Sequence, residues 1–330
     1  MTRRAGRRRM AASEPTSRQA DFEATEAVSA MTDDSGTFKS SIDFAALGNR
    51  LRAYRVGASL QADDVAARLG VSRAVVYRME KGEIIKIEML ERLAQLLGTS
   101  LASLLGVEVE YYSNALGLFE RMRQLENTSD RIFAHFEPIS MLLTSDDYLG
   151  HLRAMLLEAA PHQAGGAPRE NEIEEMMRIF TERKKTFEVR QPHVVSLIGL
   201  RELERFLQTG LVGRVGLPDN VRKERLRAAR YEVGRMAELM ENEPINVQIG
   251  LIDDAMPAST FQVFSGPKQK MLAVSPFRLG ELPNVRNGIA TVTAAPEALR
   301  MYETMIARLW KSAYKGKSGA ACLKRLLKAG

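Results

Sequence analysis

From Ile42 to Gly106, apolar residues recur at helical spacing in short blocks divided by Gly and Ser, a pattern that predicts five helices. The first carries Leu47, Leu51 and Tyr54 on one face, the second spans about 62–69, and the third starts after Ser72, a good N-cap. The fourth buries Met89, Leu90, Leu93, Leu96 and Leu97 and ends at Gly98, and a fifth turn presents Leu101, Leu104 and Leu105. Helical patterns continue through 112–126, 145–159 and 170–188, with a loop at 161–169, and a long helix follows Pro218 to about Met240. The period then shortens to two: INVQIGLI (245–252), TFQVF (260–264), KMLAV (270–274) and GIATVT (288–293) follow one another as strands of one sheet. A last helix starts near Pro296 and holds Leu299, Met301, Tyr302, Met305, Ile306 and Leu309. The expected organisation is a disordered basic arm over 1–41, a helical domain over 42–106, a helical linker over 107–169 and an α+β domain over 170–330.

Residues 62–81 satisfy the demands of a helix-turn-helix, which needs a small residue where two helices cross, a left-handed turn residue and apolar packing positions. Ala66 is the crossing residue and Gly70 the turn, while Val65, Leu69, Val71, Val76 and Met79 pack the second helix on the first. A helical hairpin unrelated to nucleic acid shares parts of this pattern.

The stretch LGNRLRAYRVGASLQADDVAARLGVSRAVVYRMEKGEIIKIEMLERLAQLLGTSLASLLG resembles the DNA-binding domain of the xenobiotic-response-element family of regulators, of the Cro/C1 type with the all-α lambda-repressor-like fold. The resemblance implies that the third helix, about 72–81, lies in the major groove and that a homodimer sets two such helices one turn of double-stranded DNA apart. It places base-facing positions at Arg73, Ala74 and Arg78, with Ser72 and Tyr77 beside them. Arginine donates a bidentate pair to guanine, and the Ala74 methyl suits a thymine methyl. Tyr77 can give its hydroxyl to a phosphate, and Lys81, Lys86 and Arg68 are flanking cations that position the backbone without reading sequence. A solvated helix face is the plain alternative for each of these residues. The family also pairs an arginine ending helix 1 with a glutamate ending helix 3, which implies an Arg55–Glu80 ion pair here.

Two positions depart from the family pattern. Where it has Ser or Thr capping helix 2 followed by a phosphate-binding glutamine, this chain has Gln61 and Ala62, which leaves only a displaced Gln61 for that contact. Asp63 and Asp64 in the first turn suit the helix dipole. The proline common after the turn glycine is replaced within EIIKIE.

The remainder resembles, more loosely, the α+β domain of unassigned function that follows such modules in many bacterial regulators; some such domains have been likened to phospholipase-D folds that lack catalysis. The likeness rests on the order of elements: the strand-helix unit VVSLIGLRELERFL, a long helix before INVQIGLI, a hairpin and a closing helix. No catalytic constellation is present. His135, His151, His162 and His193 form no metal or acid–base motif, ENEIEE (170–175) suits a helix start with a solvated face, and GRVG and VRNG lack the context of a phosphate loop. No cofactor or metal is expected. The connection SPFRLGELPNVRNG (275–288) carries Arg278, Asn284, Arg286 and Asn287 and is either a loop for an anionic effector or partner or a surface turn. After Trp310 the chain has Lys311, Lys315, Lys317, Lys324, Arg325 and Lys328 with no acidic residue, which suggests either added phosphate contacts or a frayed basic end.

Composition changes this picture little. At 330 residues and 45% hydrophobic the chain can bury a large core in two or three domains, and its formal charge of +6 is compatible with a polyanionic partner without requiring one. The single cysteine, Cys322, excludes an internal disulfide and fits a reducing compartment, so the cytoplasm is expected, although Lys324 and Arg325 can lower its pKa. No run approaches the ~18 apolar residues of a membrane span, and MTRRAGRRRM is followed by a polar stretch instead of the apolar core of a signal peptide. That arginine cluster suits nucleic acid, a solvated tail, or an upstream extension before a true start at Met31. The expected function is a bacterial DNA-binding transcriptional regulator without enzymatic activity. The alternatives are an antitoxin-like partner-binding protein that autoregulates and, third, an enzyme with a DNA-targeting module.

Overall fold

Asp43 opens the first helix by accepting the Ala46 amide at 3.0 Å, supplying the side-chain cap that an exposed helix start needs. The computed structural model describes residues 43–83, 87–107, 109–159 and 167–329; the arm expected over 1–41, Lys86, His162 and most of the 161–169 loop lie outside them. Five helices follow at the positions the pattern predicts: α1 (Phe44–Gly57), α2 (Ala62–Leu69), α3 (Arg73–Glu80), α4 (Ile87–Leu96) and α5 (Leu101–Leu105). Gly70 ends α2 at φ +70°, a left-handed position that glycine takes at little cost, and lets the Val71 amide bond back to Ala66.

The region beyond is α+β. It contains β1 (Val109–Tyr112), α6 (Ala115–Glu126), β2 (Arg131–His135), α7 (Asp147–Ala159), α8 (Ala167–Arg190), β3 (His193–Gly199), α9 (Leu200–Thr209) and α10 (Asp219–Asn242). Then come β4 (Val247–Ile252), β5 (Thr260–Ser265), β6 (Lys270–Ser275), β7 (Ala290–Thr293), α11 (Pro296–Ser312) and α12 (Gly316–Ala329). The strands make one seven-stranded sheet in the order β1-β7-β6-β5-β2-β3-β4. The β2-β3-β4 half is parallel, with helices in each crossover, and the rest is antiparallel.

Two expectations are corrected here. The span 107–169 is not a helical linker: it supplies both an edge strand, β1 paired with β7, and β2 in the sheet interior between β3 and β5. In β1 the buried alternate positions are Glu110 and Tyr112, so the inward face is polar; in β2 Ile132, Phe133, Ala134 and His135 are all buried, so neither strand shows apolar–polar alternation. The basic end is not frayed either. It forms α12, which buries Gly319, Ala320, Cys322 and Leu323, with Gly319 packed so tightly against Met240 of α10 that a side chain would collide.

The helical domain and the sheet domain share one compact unit. Helix α1 crosses α6 at two glycines: a Cβ on Gly57 would sit 3.0 Å from the Gly117 Cα, too close to be accommodated without movement. Asn114 ties the crossing, donating to the Gly57 carbonyl at 2.9 Å and accepting from the Gly117 amide at 3.0 Å. Beside it, Tyr54 of α1 stacks on Tyr112 of β1 at 4.9 Å.

Beneath this crossing lies a buried ion cluster. Arg121 of α6 grips Glu110 through two hydrogen bonds of 2.8 and 2.9 Å, and the Tyr112 hydroxyl donates to the same carboxylate at 2.8 Å. Arg50 of α1 stands 3.8 Å from Glu110 and donates to the last carbonyls of α5, Leu104 and Leu105, at 2.7 Å each. Burial and then the neighbouring Glu110 charge hold the Tyr112 phenol well above its ordinary pKa, so it stays a donor. A second strap joins Arg52 of α1 to Glu120 at 3.1 Å, with Arg123 holding that carboxylate from the other side. Removing one partner strands the others without solvent, so Glu110→Ala should lower the unfolding free energy by about 3–5 kcal/mol in urea denaturation followed by circular dichroism. A loss below about 1 kcal/mol, the range of exposed pairs, would show that the cluster is not desolvated.

Candidate nucleic-acid interface

Helix α3 is seated by its apolar side and by two glycines. Val76 and Met79 are buried, and a Cβ on Gly48 of α1 would fall 2.7 Å from the Gly82 amide, so α1 meets the end of α3 backbone to backbone. Gly82, at φ +81°, in turn abuts the Phe44 carbonyl. These contacts turn one strip of α3 outward.

That strip holds Arg73, Ala74, Tyr77, Arg78 and Lys81, all exposed, with Ser72 at the N-cap. Their offsets of one, four, five and eight residues place them on one helix face. The structure therefore brings together the residues singled out from the sequence. Gln61, also exposed, caps α2 through its backbone amide, which donates to Asp64 at 2.8 Å. Arg68 is exposed on the adjacent helix.

The two arginines are already engaged. Arg73 lies over the Tyr77 ring at 5.3 Å, donates to its hydroxyl at 3.0 Å and approaches Asp63 at 3.3 Å. Arg78 donates to Glu83 at 2.7 Å. Both arginine side chains remain more than half exposed, 59% and 58%, so these are water-screened pairs that cost little to exchange. Asp63 and Glu83 are the partners that the sequence reading missed; Asp63 was assigned only to the helix dipole. An acidic residue in the first turn of helix 2, facing the start of helix 3 across a short turn, was the available signal.

Glu80 points the other way. Arg55 holds it through hydrogen bonds of 2.5 and 3.2 Å and spends its third nitrogen on the Leu60 carbonyl at 2.9 Å. The pair is nearly dry, at 10% and 6% exposure, and locks the end of α3 to the end of α1. Glu80 is thus withdrawn from the exposed strip.

Residues 46–105 match the family model described as a helix-turn-helix domain. The match spans α1 to α5 and leaves the sheet domain outside it. Comparison with curated proteins gives no match for the chain. In the helix-turn-helix domain, α2 is the first helix of the motif and α3 the second, the one that such motifs present to the major groove.

The four residues of the 275–288 connection are divided. Arg278 and Asn284 exchange backbone hydrogen bonds of 3.0 Å, and the Asn284 side chain accepts from the Asn287 amide and donates to its carbonyl, at 2.9 and 2.8 Å. Asn284 is therefore the builder of this loop. Arg286 reaches Glu172 of α8 at 2.7 Å, whereas the Arg278 side chain lines a separate small hollow with Glu137 and Arg205. His135 is buried between the Leu197 and Pro257 carbonyls, His151 stands 3.6 Å from Glu224, and the buried Cys322 accepts from Arg325 at 3.2 Å. Among the described residues no group of three or more His, Cys, Asp or Glu could hold a metal, and no helix is long and apolar enough to cross a membrane.

The buried pair predicts a diagnostic double substitution. Arg55→Ala should cost about 3–5 kcal/mol by stranding the Glu80 carboxylate. Adding Glu80→Gln should recover part of the loss in the same urea titration, and a strictly additive double variant would contradict the pairing.

Proposed function

We propose that the chain is a sequence-specific transcriptional regulator that inserts α3 into the major groove of double-stranded DNA. The observation that carries this reading is the helix-turn-helix match over 46–105 together with an α3 face whose arginines are exposed and held only by solvent-screened partners. Arg73 and Arg78 read guanine edges, Ala74 meets a thymine methyl, and Ser72, Tyr77, Lys81 and Gln61 serve the phosphates. On approach to DNA, Arg73 leaves Asp63 and Arg78 leaves Glu83. The freed carboxylates then face phosphate, which penalises binding wherever base contacts do not compensate.

The module is of the Cro/C1 type of the xenobiotic-response-element family and works as a homodimer on a two-fold operator in a bacterial cytoplasm. The sheet domain, fused to it through α1 and α6, serves dimerisation or effector response. No step of this role requires catalysis.

Selection of a preferred duplex from a random library, followed by fluorescence anisotropy, tests the assignment. Arg73→Ala and Arg78→Ala should each cost about 1–3 kcal/mol on the preferred site and relax selectivity there. Lys81→Ala should weaken all duplexes alike and reduce the salt dependence by about one phosphate contact. Equal loss on every duplex from the arginine variants would overturn the base-reading roles.

A further inference from the structure

The structure assigns a binding site for a small organic anion with an apolar body to the cavity between the end of α1 and the 283–287 loop. The cavity measures about 570 Å³, within the range of about 300–1,000 Å³ typical of small-molecule sites. Its wall comes from both domains: Gly57 and Ser59 from the helix-turn-helix side, and α6, α7, α8 and the loop from the other. Leu116, Leu156, Ile173, Met176 and Val285 supply its apolar part, and Ser59, Asn114, Asn284 and Asn287 line the rest beside Arg286 and Glu172.

The polar part of the lining favours a negative head group. Arg286 lines the cavity from the loop and donates from Nη2 to Glu172 at 2.7 Å. Asn114, the N-cap of α6, also lines the cavity, but the Ala115 and Gly117 amides are spent on the Val285 carbonyl and the Asn114 side chain, so the positive charge of the lining comes from Arg286. Against it stands one carboxylate, Glu172, which is 37% exposed and free to turn to water when a ligand takes its place. A carboxylate or sulfonate on Arg286, with its hydrocarbon among Leu116, Ile173 and Val285, satisfies both parts of the lining.

The Val285 backbone is anchored by the Ala115 amide at 3.1 Å, so the loop wall is fixed to α6. The site stands without DNA. Only its meaning as an effector site rests on the regulator reading, through Gly57 and Ser59 on the approach to α2.

The test uses the full chain without DNA, so that it succeeds or fails independently of operator binding. Titration with 1-anilinonaphthalene-8-sulfonate, an apolar organic anion, should show one saturable fluorescent site, competed by 4-phenylbutyrate and not by 4-phenylbutylamine. Val285→Trp, which sets an indole into the cavity beside Arg286 and narrows it, should weaken that site. Arg286→Ala should weaken it about tenfold, the loss of one charge-assisted hydrogen bond. Glu172→Gln, at a partly exposed position, removes the charge that competes for Arg286 and should tighten it several-fold, so the proposal does not depend on the Trp variant folding. Absence of a saturable site, fluorescence unchanged by all three substitutions, or equal competition by the amine would each overturn the assignment.

Discussion

The arrangement of this molecule depends on one buried carboxylate. Glu110 sits on an edge strand, faces inward, and is met there by Arg121 from the sheet domain and by Arg50 from the DNA-binding domain. An inward charge on an edge strand is costly unless it is fully paired, and the pairing here requires both domains to be in place. The same Arg50 caps α5, so the end of the helix-turn-helix domain, the first strand of the sheet and helix α6 are fixed by one set of hydrogen bonds. The glycine contact of Gly57 with Gly117 then brings the two backbones too close for sliding. The helix-turn-helix domain is in this chain part of the packing of the next domain.

That fusion places the cavity beside α1 and fixes the orientation of α3 relative to the sheet domain. Helix α3 is held from behind by Arg55–Glu80 and by the Gly48–Gly82 contact, both on α1, and α1 is held by the sheet domain. Orientation is therefore transmitted through packed backbone and dry ion pairs. The exposed arginines differ in kind, since their pairs with Asp63 and Glu83 are wet and replaceable. Burial separates what positions the helix from what is available to a ligand.

Much of this was legible in the sequence. The five N-terminal helices follow the apolar spacing because a Gly or Ser lies close to an end of each, and α2 and α3 bury a single stripe, while α1 is buried on most sides. The strand-helix unit at 193–209 and the hairpin of β5 and β6 were also readable from local pattern. What was hidden had polar inward faces or no alternation. Val109–Tyr112 conceals a strand because its buried residues are a glutamate and a tyrosine, and Arg131–His135 because it is buried on both sides. The helical tail was masked by its lysines, which ring a narrow stripe of small and apolar residues. At the interface, Arg55–Glu80 followed from family likeness, while Asp63 and Glu83 required knowing how α2 and the turn after α3 fold back on the exposed face.

Differential scanning calorimetry of the full chain tests the central claim, that the helix-turn-helix domain and the sheet domain are one cooperative unit, most directly. The account predicts a single transition in which α1–α5 melt with the sheet and the calorimetric and van't Hoff enthalpies agree. A separate earlier transition carrying about 40 kcal/mol, as expected for some 60 residues at about 0.7 kcal/mol per residue, would show that the DNA-binding domain unfolds by itself and would contradict it.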